Sequence, residues 1–176
     1  MKKEITFSRE FPSAIREGGK TLFVEKVLNG IGVEYQSERY FKQLLALNEE
    51  ALNNDVLSYA ELEHFWKSLE KTDEKKLHTI RRLQRYQVGD VLTPAVWSAA
   101  PNLSPFIIFA EDVEVTYCPD LLQDEALNWH LHNKRLSEDE LRSIANNDGL
   151  SLPELRAWFQ SPTQAQLVCW TIQRYE

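Results

Sequence analysis

The chain has 176 residues, with 20 lysines and arginines against 27 aspartates and glutamates, so its formal net charge is -7 at pH 7. This length favours a single domain, and a hydrophobic fraction of 43% excludes a disordered chain. The acidic balance argues against a broad face for duplex DNA, because such a face neutralises many phosphates with lysines and arginines.

The composition also bears on location and on metal binding. There is no run of 18 apolar residues, and residues 1–7 lack the apolar core of a signal peptide, so we expect a cytoplasmic protein with no membrane partner. Cys118 and Cys169 have no Cys-x-x-Cys partner, which predicts reduced thiols. His130 and His132 share a predicted strand face without a third ligand, which favours an exposed hairpin end. The sequence therefore predicts neither a cofactor nor a metal.

The first part of the chain combines one strand with a long helical stretch. Residues 4–8 predict a short strand, followed by a turn and a brief helix that ends at Gly18-Gly19. Residues 21–75 predict a helical insertion, because apolar residues recur there at helical spacing. A capping box formed by Ser58 and Glu61 opens the last helix of this insertion.

From residue 77 onward the pattern changes to strands. Six segments rich in β-branched and aromatic residues are predicted strands: 77–81, 90–93, 106–109, 113–117, 126–131 and 166–172. Two helices interrupt them, each opened by a capping box, at Ser137 and at Ser151. The fold class predicted is α+β, with the N-terminal strand and the later strands forming one small β-barrel and the insertion packed on its side.

One short segment gathers positive charge in this acidic chain. From Lys75 to Gly89 there are five lysines and arginines and no acid, together with a hydroxyl and an imidazole. A local concentration of one charge indicates where anion recognition or catalysis takes place. We therefore expect the functional site at this segment.

The order of these elements resembles the ASCH family, a branch of the PUA-like β-barrels. Ile5-Thr6-Phe7, the turn at Gly18-Gly19-Lys20, the basic strand at 76–81 and the Gly89-Asp90 turn follow the order of that family's opening elements. The helical insertion separates the first turn from the basic strand. The resemblance implies a single ASCH/PUA-like domain over residues 1–176, with a cleft at the barrel mouth that takes a nucleobase, a nucleoside or RNA.

The basic strand also resembles the ASCH-type hydrolases that remove the acetyl group from N4-acetylcytidine. In those enzymes a catalytic lysine and threonine lie three residues apart in a Lys-x-x-Thr-x-Arg strand, and Lys76 and Thr79 stand at these positions. Asp148 stands where they carry a glutamate ahead of a helix start, so its carboxyl is one methylene shorter. The resemblance implies that Thr79 is the nucleophile, Lys76 its base and Asp148 the group that transfers protons. Amide hydrolysis needs groups of these three kinds, and the neighbouring Arg81 and Arg82 would disfavour the charged form of the lysine.

Each of these residues also has a plain structural interpretation. Lys76 and Thr79 suit a solvated basic edge strand, and Asp148 suits the turn at a helix end before a left-handed Gly149. The spacing adds a geometric condition, because residues three apart in a regular strand point to opposite faces. Lys76 must therefore precede the strand, or lie beside a bulge, if it is to share a pocket with Thr79.

Four further residues are candidates for binding the substrate. Arg81 and Arg82 offer guanidinium donors for a phosphate or for the carbonyl edge of a base, and they could equally pair with the acidic helices. Trp97 follows the Gly89-Asp90 turn, where a loop at the barrel mouth would let its ring stack on a base; a core position is the alternative. Lys20 either returns to the pocket or starts a solvated helix.

Three functions follow from these observations. The first is recognition of a nucleobase or nucleoside in a cleft lined by Lys76, Thr79, Arg81 and Asp148, extended to hydrolysis of an N-acyl group on it. The second is a non-catalytic module that binds single-stranded RNA in the same cleft. The third is a protein-interaction factor whose working surface is the helical insertion. The acidic balance favours a small nucleoside over a long RNA, because each phosphate would meet surrounding negative charge; the oligomeric state stays open.

Overall fold

The computed structural model describes residues 1–7, 23–83, 85–99, 103–172 and 175. Its elements are β1 (Lys2–Thr6), α1 (Phe23–Gly30), α2 (Glu38–Leu47), α3 (Glu49–Asn53), α4 (Tyr59–Lys67), β2 (His78–Arg82), β3 (Val91–Trp97), β4 (Phe106–Ile108), β5 (Val113–Glu114), β6 (Asp120–Gln123), β7 (Trp129–Leu131), β8 (Lys134–Arg135), α5 (Glu138–Asn147), α6 (Leu152–Trp158) and β9 (Thr163–Cys169). The predicted α+β class is confirmed. The chain divides into two compact units, which we call the helical unit (residues 2–74 and 91–113) and the sheet unit (residues 1, 75–90 and 114–176).

The helical unit joins four helices to a short sheet. Its strands follow the order β1-β3-β4, with β5 also paired to β3. β1 runs parallel to β3, with Ile5 opposite Pro94, and β3 runs antiparallel to β4. The N-terminal strand therefore pairs with a later strand. Helices α1 to α4 account for the described part of the predicted insertion, and no strand lies in that part.

Side-chain hydrogen bonds tie α2 to β4 inside the helical unit. Asn48, which caps the end of α2, is buried. Its amide donates to the Ile108 carbonyl and accepts from the Ile108 N–H, at 2.9 Å each. The Tyr40 hydroxyl donates to the Phe109 carbonyl at 2.7 Å. The Asn48 side chain therefore replaces the hydrogen bonds of a neighbouring strand at this edge of β4, because it pairs with both the N–H and the carbonyl of Ile108.

The sheet unit is an antiparallel sheet in the order β2-β9-β6-β7-β8. Helices α5 and α6 cover one face of it. His78 on β2 bonds the Ile144 carbonyl of α5 at 3.0 Å, and Trp129 on β7 meets the Phe159 ring after α6 edge-on at 5.3 Å. Because side chains alternate along a strand, Thr79 and Arg81 lie on the opposite face from His78.

Several sequence predictions need correction. The described strands form two sheets and no closed barrel among themselves. Strand β6 is not predicted by the sequence pattern. Tyr117, which was predicted to belong to a strand over 113–117, lies after the end of β5 and forms an isolated bridge to Cys169. The brief helix before Gly18-Gly19 lies outside the described residues. Within the described ranges, no helix is long and apolar enough to cross a membrane.

Candidate functional site

The end of α5 lies against the open edge of β2. Helix α5 is followed by Asp148 and then by Gly149, whose φ of 76° is left-handed. The Leu77 N–H donates to the Asn147 carbonyl at 2.7 Å, and the Ile80 N–H donates to Asp148 Oδ1 at 3.2 Å. These bonds satisfy edge groups that β9 leaves unpaired, since β9 occupies the other side of β2. The structural interpretation of Asp148 as the turn residue before a left-handed glycine is confirmed.

Lys76 and Asp148 form a buried ion pair. Lys76 Nζ lies 2.5 Å from Asp148 Oδ1 and donates to the Asp148 carbonyl at the same distance. The two residues are 3% and 5% exposed. Burial raises the pKa of the Asp148 carboxyl, while the charges of Lys76 and Arg81 act in the opposite direction. The shorter acid therefore reaches the lysine in spite of the missing methylene.

The geometric condition on Lys76 and Thr79 is met. Lys76 precedes β2, which begins at His78, so the alternation of a regular strand does not apply between them. Thr79 is buried opposite Val168 of β9, and its hydroxyl makes no hydrogen bond to the described residues. The amine of Lys76 faces the carboxylate of Asp148, a negative charge that opposes the effect expected of the neighbouring arginines.

The two arginines of β2 point in different directions. Arg81 lies on the face of Thr79, where burial lowers the pKa of its guanidinium and the charges of Tyr86 and Asp148 oppose the shift. Arg82 donates to the Trp158 carbonyl at 2.9 Å and lies 5.2 Å from the centre of the Phe159 ring. Arg82 is therefore held by residues at the end of α6 and does not share a face with Arg81.

One further candidate belongs to the other unit, and another falls outside the described residues. Trp97 is the last residue of β3 in the helical unit, so its predicted place in a loop is wrong. Its ring stacks on Phe106 with centroids 3.8 Å apart and planes 30° apart. Lys20 lies outside the described residues. Lys76, Thr79, Arg81 and Asp148 remain, and we call them the β2–α5 site.

His78 is a member of this region that the site prediction omitted. It is fully buried, with Nε2 at 3.0 Å from the Ile144 carbonyl and Nδ1 at 3.0 Å from the Tyr175 hydroxyl. A carbonyl only accepts, which assigns the proton to Nε2; Tyr175 then donates to Nδ1 and accepts from the Asn147 amide at 2.7 Å. Burial, with the charge of Lys76, lowers the pKa of His78 to about 3. The imidazole in the basic segment was the available signal for this residue.

A groove of about 480 Å³ lies elsewhere in the sheet unit. It is lined by Leu122, Gln123, Asp124, His130, Asn133, Pro162, Thr163 and Gln164. His130 Nε2 lies 2.9 Å from Asp124 Oδ2, and this hydrogen bond lowers the pKa of Asp124 to about 2. His132 bonds the Tyr117 hydroxyl instead, at 2.6 Å, and the described part of the chain holds no group of three metal ligands. None of the predicted site residues lines this groove.

No family model, curated protein or solved structure matches the chain. The function is therefore inferred from the residues of the β2–α5 site. Chemically, this site offers a buried acid–base pair, a hydroxyl without a hydrogen bond to any described residue, and a guanidinium on the same face as that hydroxyl. Such groups suit proton transfer at a polar, planar ligand.

Proposed function

We propose that the chain is an ASCH-type, PUA-like protein that binds a nucleobase or nucleoside at the β2–α5 site and hydrolyses an N-acyl group on it. The observation that carries the proposal is the contact between Lys76 and Asp148. The two residues are 72 positions apart in the sequence, and the motif that pairs them comes from an amide hydrolase. An acid–base pair and a hydroxyl are the groups that amide hydrolysis needs.

In this proposal Lys76 acts as the general base and Asp148 as the general acid, and a proton passes between them. Lys76 passes a proton to Asp148, and the neutral amine then takes the proton of the Thr79 hydroxyl as its oxygen attacks the acyl carbon. Burial favours the first transfer, because it raises the pKa of the Asp148 carboxyl. The carbon–nitrogen bond then breaks, and the leaving nitrogen takes the proton from Asp148. The products of this half-reaction are the free amine of the base and an acyl ester on Thr79.

Water completes the cycle by the same proton path. After a second transfer from Lys76 to Asp148, the amine takes a proton from water as the hydroxide attacks the ester. The Thr79 oxygen leaves with the proton of Asp148, which restores the ion pair and releases the carboxylic acid. Arg81 has the role of holding the carbonyl edge of the base, since a guanidinium presents several donors in a fixed geometry.

The contacts of the basic segment favour a nucleoside over a long RNA. Lys76 is neutralised by Asp148, and Arg82 is bound to the Trp158 carbonyl. These cations are less available to phosphates, and RNA affinity depends on releasing counterions from many phosphates. A neutral nucleoside needs no such contacts.

Acetate release from N4-acetylcytidine tests the proposal. The wild type should release acetate, and Thr79→Ala and Lys76→Met should each abolish this release. Thr79→Ser should retain part of the activity because the hydroxyl is kept. Thr163→Ala is the matched control, since the Thr163 hydroxyl donates only to the Ser161 carbonyl. Wild type that is inactive on every N-acylated nucleoside, or a fully active Thr79→Ala, would refute catalysis; nucleoside binding measured by calorimetry then tests recognition alone.

A further inference from the structure

The helical unit carries a cluster of aromatic side chains on the surface of α2 and α4. The rings of Phe41 and Trp66 stack with centroids 4.7 Å apart and planes 20° apart. The Tyr59 ring meets Phe41 edge-on at 5.5 Å. Tyr59 is 54% exposed, and the other two rings are partly exposed. Phe41, Tyr59 and Trp66, which we call the aromatic patch, therefore offer contiguous ring surface to a partner.

Acidic residues outnumber basic ones in the segment that carries the aromatic patch. Residues 37–67 contain six acids against three lysines and arginines, and one of those lysines, Lys67, is paired with Glu63 at 3.1 Å. Glu63 lies one helical turn after Tyr59, and Glu38 lies three residues before Phe41, so both carboxylates belong to the helix faces that carry the rings. A surface of this charge repels phosphates and attracts cations.

We propose that the aromatic patch binds an arginine-containing segment of another protein. A guanidinium is planar, so it stacks on an exposed ring such as that of Tyr59 and pairs with a flanking carboxylate in the same geometry. A lysine ammonium supplies the charge without the planar contact. The acidic surroundings disfavour nucleic acid and anionic lipid as occupants. This interaction is independent of the nucleoside proposal, because it uses none of the residues of the β2–α5 site.

Two labelled peptides of glycine and serine test this proposal, one carrying arginines and the other the same number of lysines. Fluorescence anisotropy with the full chain, at low and at physiological ionic strength, should show about three- to fivefold tighter binding of the arginine peptide. Tyr59→Leu keeps an apolar side chain but removes the ring, so it should abolish that preference. Glu63→Gln should weaken both peptides by a similar factor. Val88→Ser, at a residue that is 63% exposed in the sheet unit, should change neither.

Three results would overturn the proposal. One is equal affinity of wild type for the two peptides, and another is an arginine preference that persists in Tyr59→Leu. The third is the absence of binding of either peptide at low ionic strength, where charge attraction is strongest. Circular dichroism of each variant establishes that the helices are intact. Light scattering would detect a dimer in which a second copy of the chain covers the aromatic patch. A dimer that binds neither peptide also counts against the proposal.

Discussion

Acid should destabilise the sheet unit through His78. The ordinary pKa of the side chain is 6.5, and burial beside Lys76 lowers it to about 3 in the folded chain. Between these values the unfolded chain carries a proton on His78 that the folded chain does not, so the free energy of unfolding falls as the pH falls. The loss begins below pH 6.5 and is complete near pH 3. Each pH unit costs about 1.4 kcal/mol, which amounts to about 5 kcal/mol over the whole interval.

Urea denaturation followed by circular dichroism measures this effect at pH values from about 7 down to about 5. His78→Gln is the informative variant, because it cannot titrate and its amide can still donate to the Ile144 carbonyl. Below the ordinary pKa of His78, we expect the free energy of unfolding of the wild type to fall by about 1.4 kcal/mol per pH unit more than that of this variant. His132→Gln, at an exposed histidine, should keep the wild-type slope.

Parallel pH profiles for wild type and His78→Gln would refute the reasoning, because they would mean that His78 binds protons equally in both states. A nuclear magnetic resonance titration provides an independent check. The imidazole signals of His78 should stay those of the neutral Nε2–H tautomer throughout the range in which the chain is folded. A titration midpoint of His78 near its ordinary pKa would also refute the reasoning.

Two further predictions concern buried polar contacts. Asp148→Asn should lower the free energy of unfolding by about 3 to 5 kcal/mol, because it leaves the Lys76 charge buried without a carboxylate; adding Lys76→Met should recover part of the loss in the same denaturation assay. Asn48→Ala should cost about 1 to 3 kcal/mol, because both backbone groups of Ile108 lose their partner. Faster hydrogen exchange at the Ile108 amide would report this directly, and unchanged exchange would contradict it.

The features predicted correctly from the sequence are mainly local ones. The capping boxes at Ser58, Ser137 and Ser151 each join residues three apart, and the structure forms all three. Strand β6 was missed because Asp120-Leu121-Leu122-Gln123 contains no β-branched residue. This segment is a strand because it pairs with β7 on one side and β9 on the other, and such long-range pairing outweighs local preference.

The arrangement of the candidate residues could be predicted only in part, for a similar reason. The contact of Lys76 with Asp148 follows from a motif and needed no knowledge of the fold. The separation of Arg81 from Arg82 could have been predicted, because adjacent residues in a strand face opposite ways. The place of Trp97 in a strand could not have been predicted, because β3 extends that far through the pairing of Trp97 with Phe106 of β4. The burial of His78 likewise depends on α5, whose contact with β2 no local pattern indicates.

The position of Asp148 has a consequence for solubility. The end of α5 lies along the outer side of β2, and Asp148 binds the Ile80 amide there. A variant that loosens this turn would expose the N–H and C=O groups of β2 to other molecules, and an exposed strand edge is a template for intermolecular pairing. Aggregation after mild heating should therefore distinguish variants of this turn from variants that only remove the charge of Lys76.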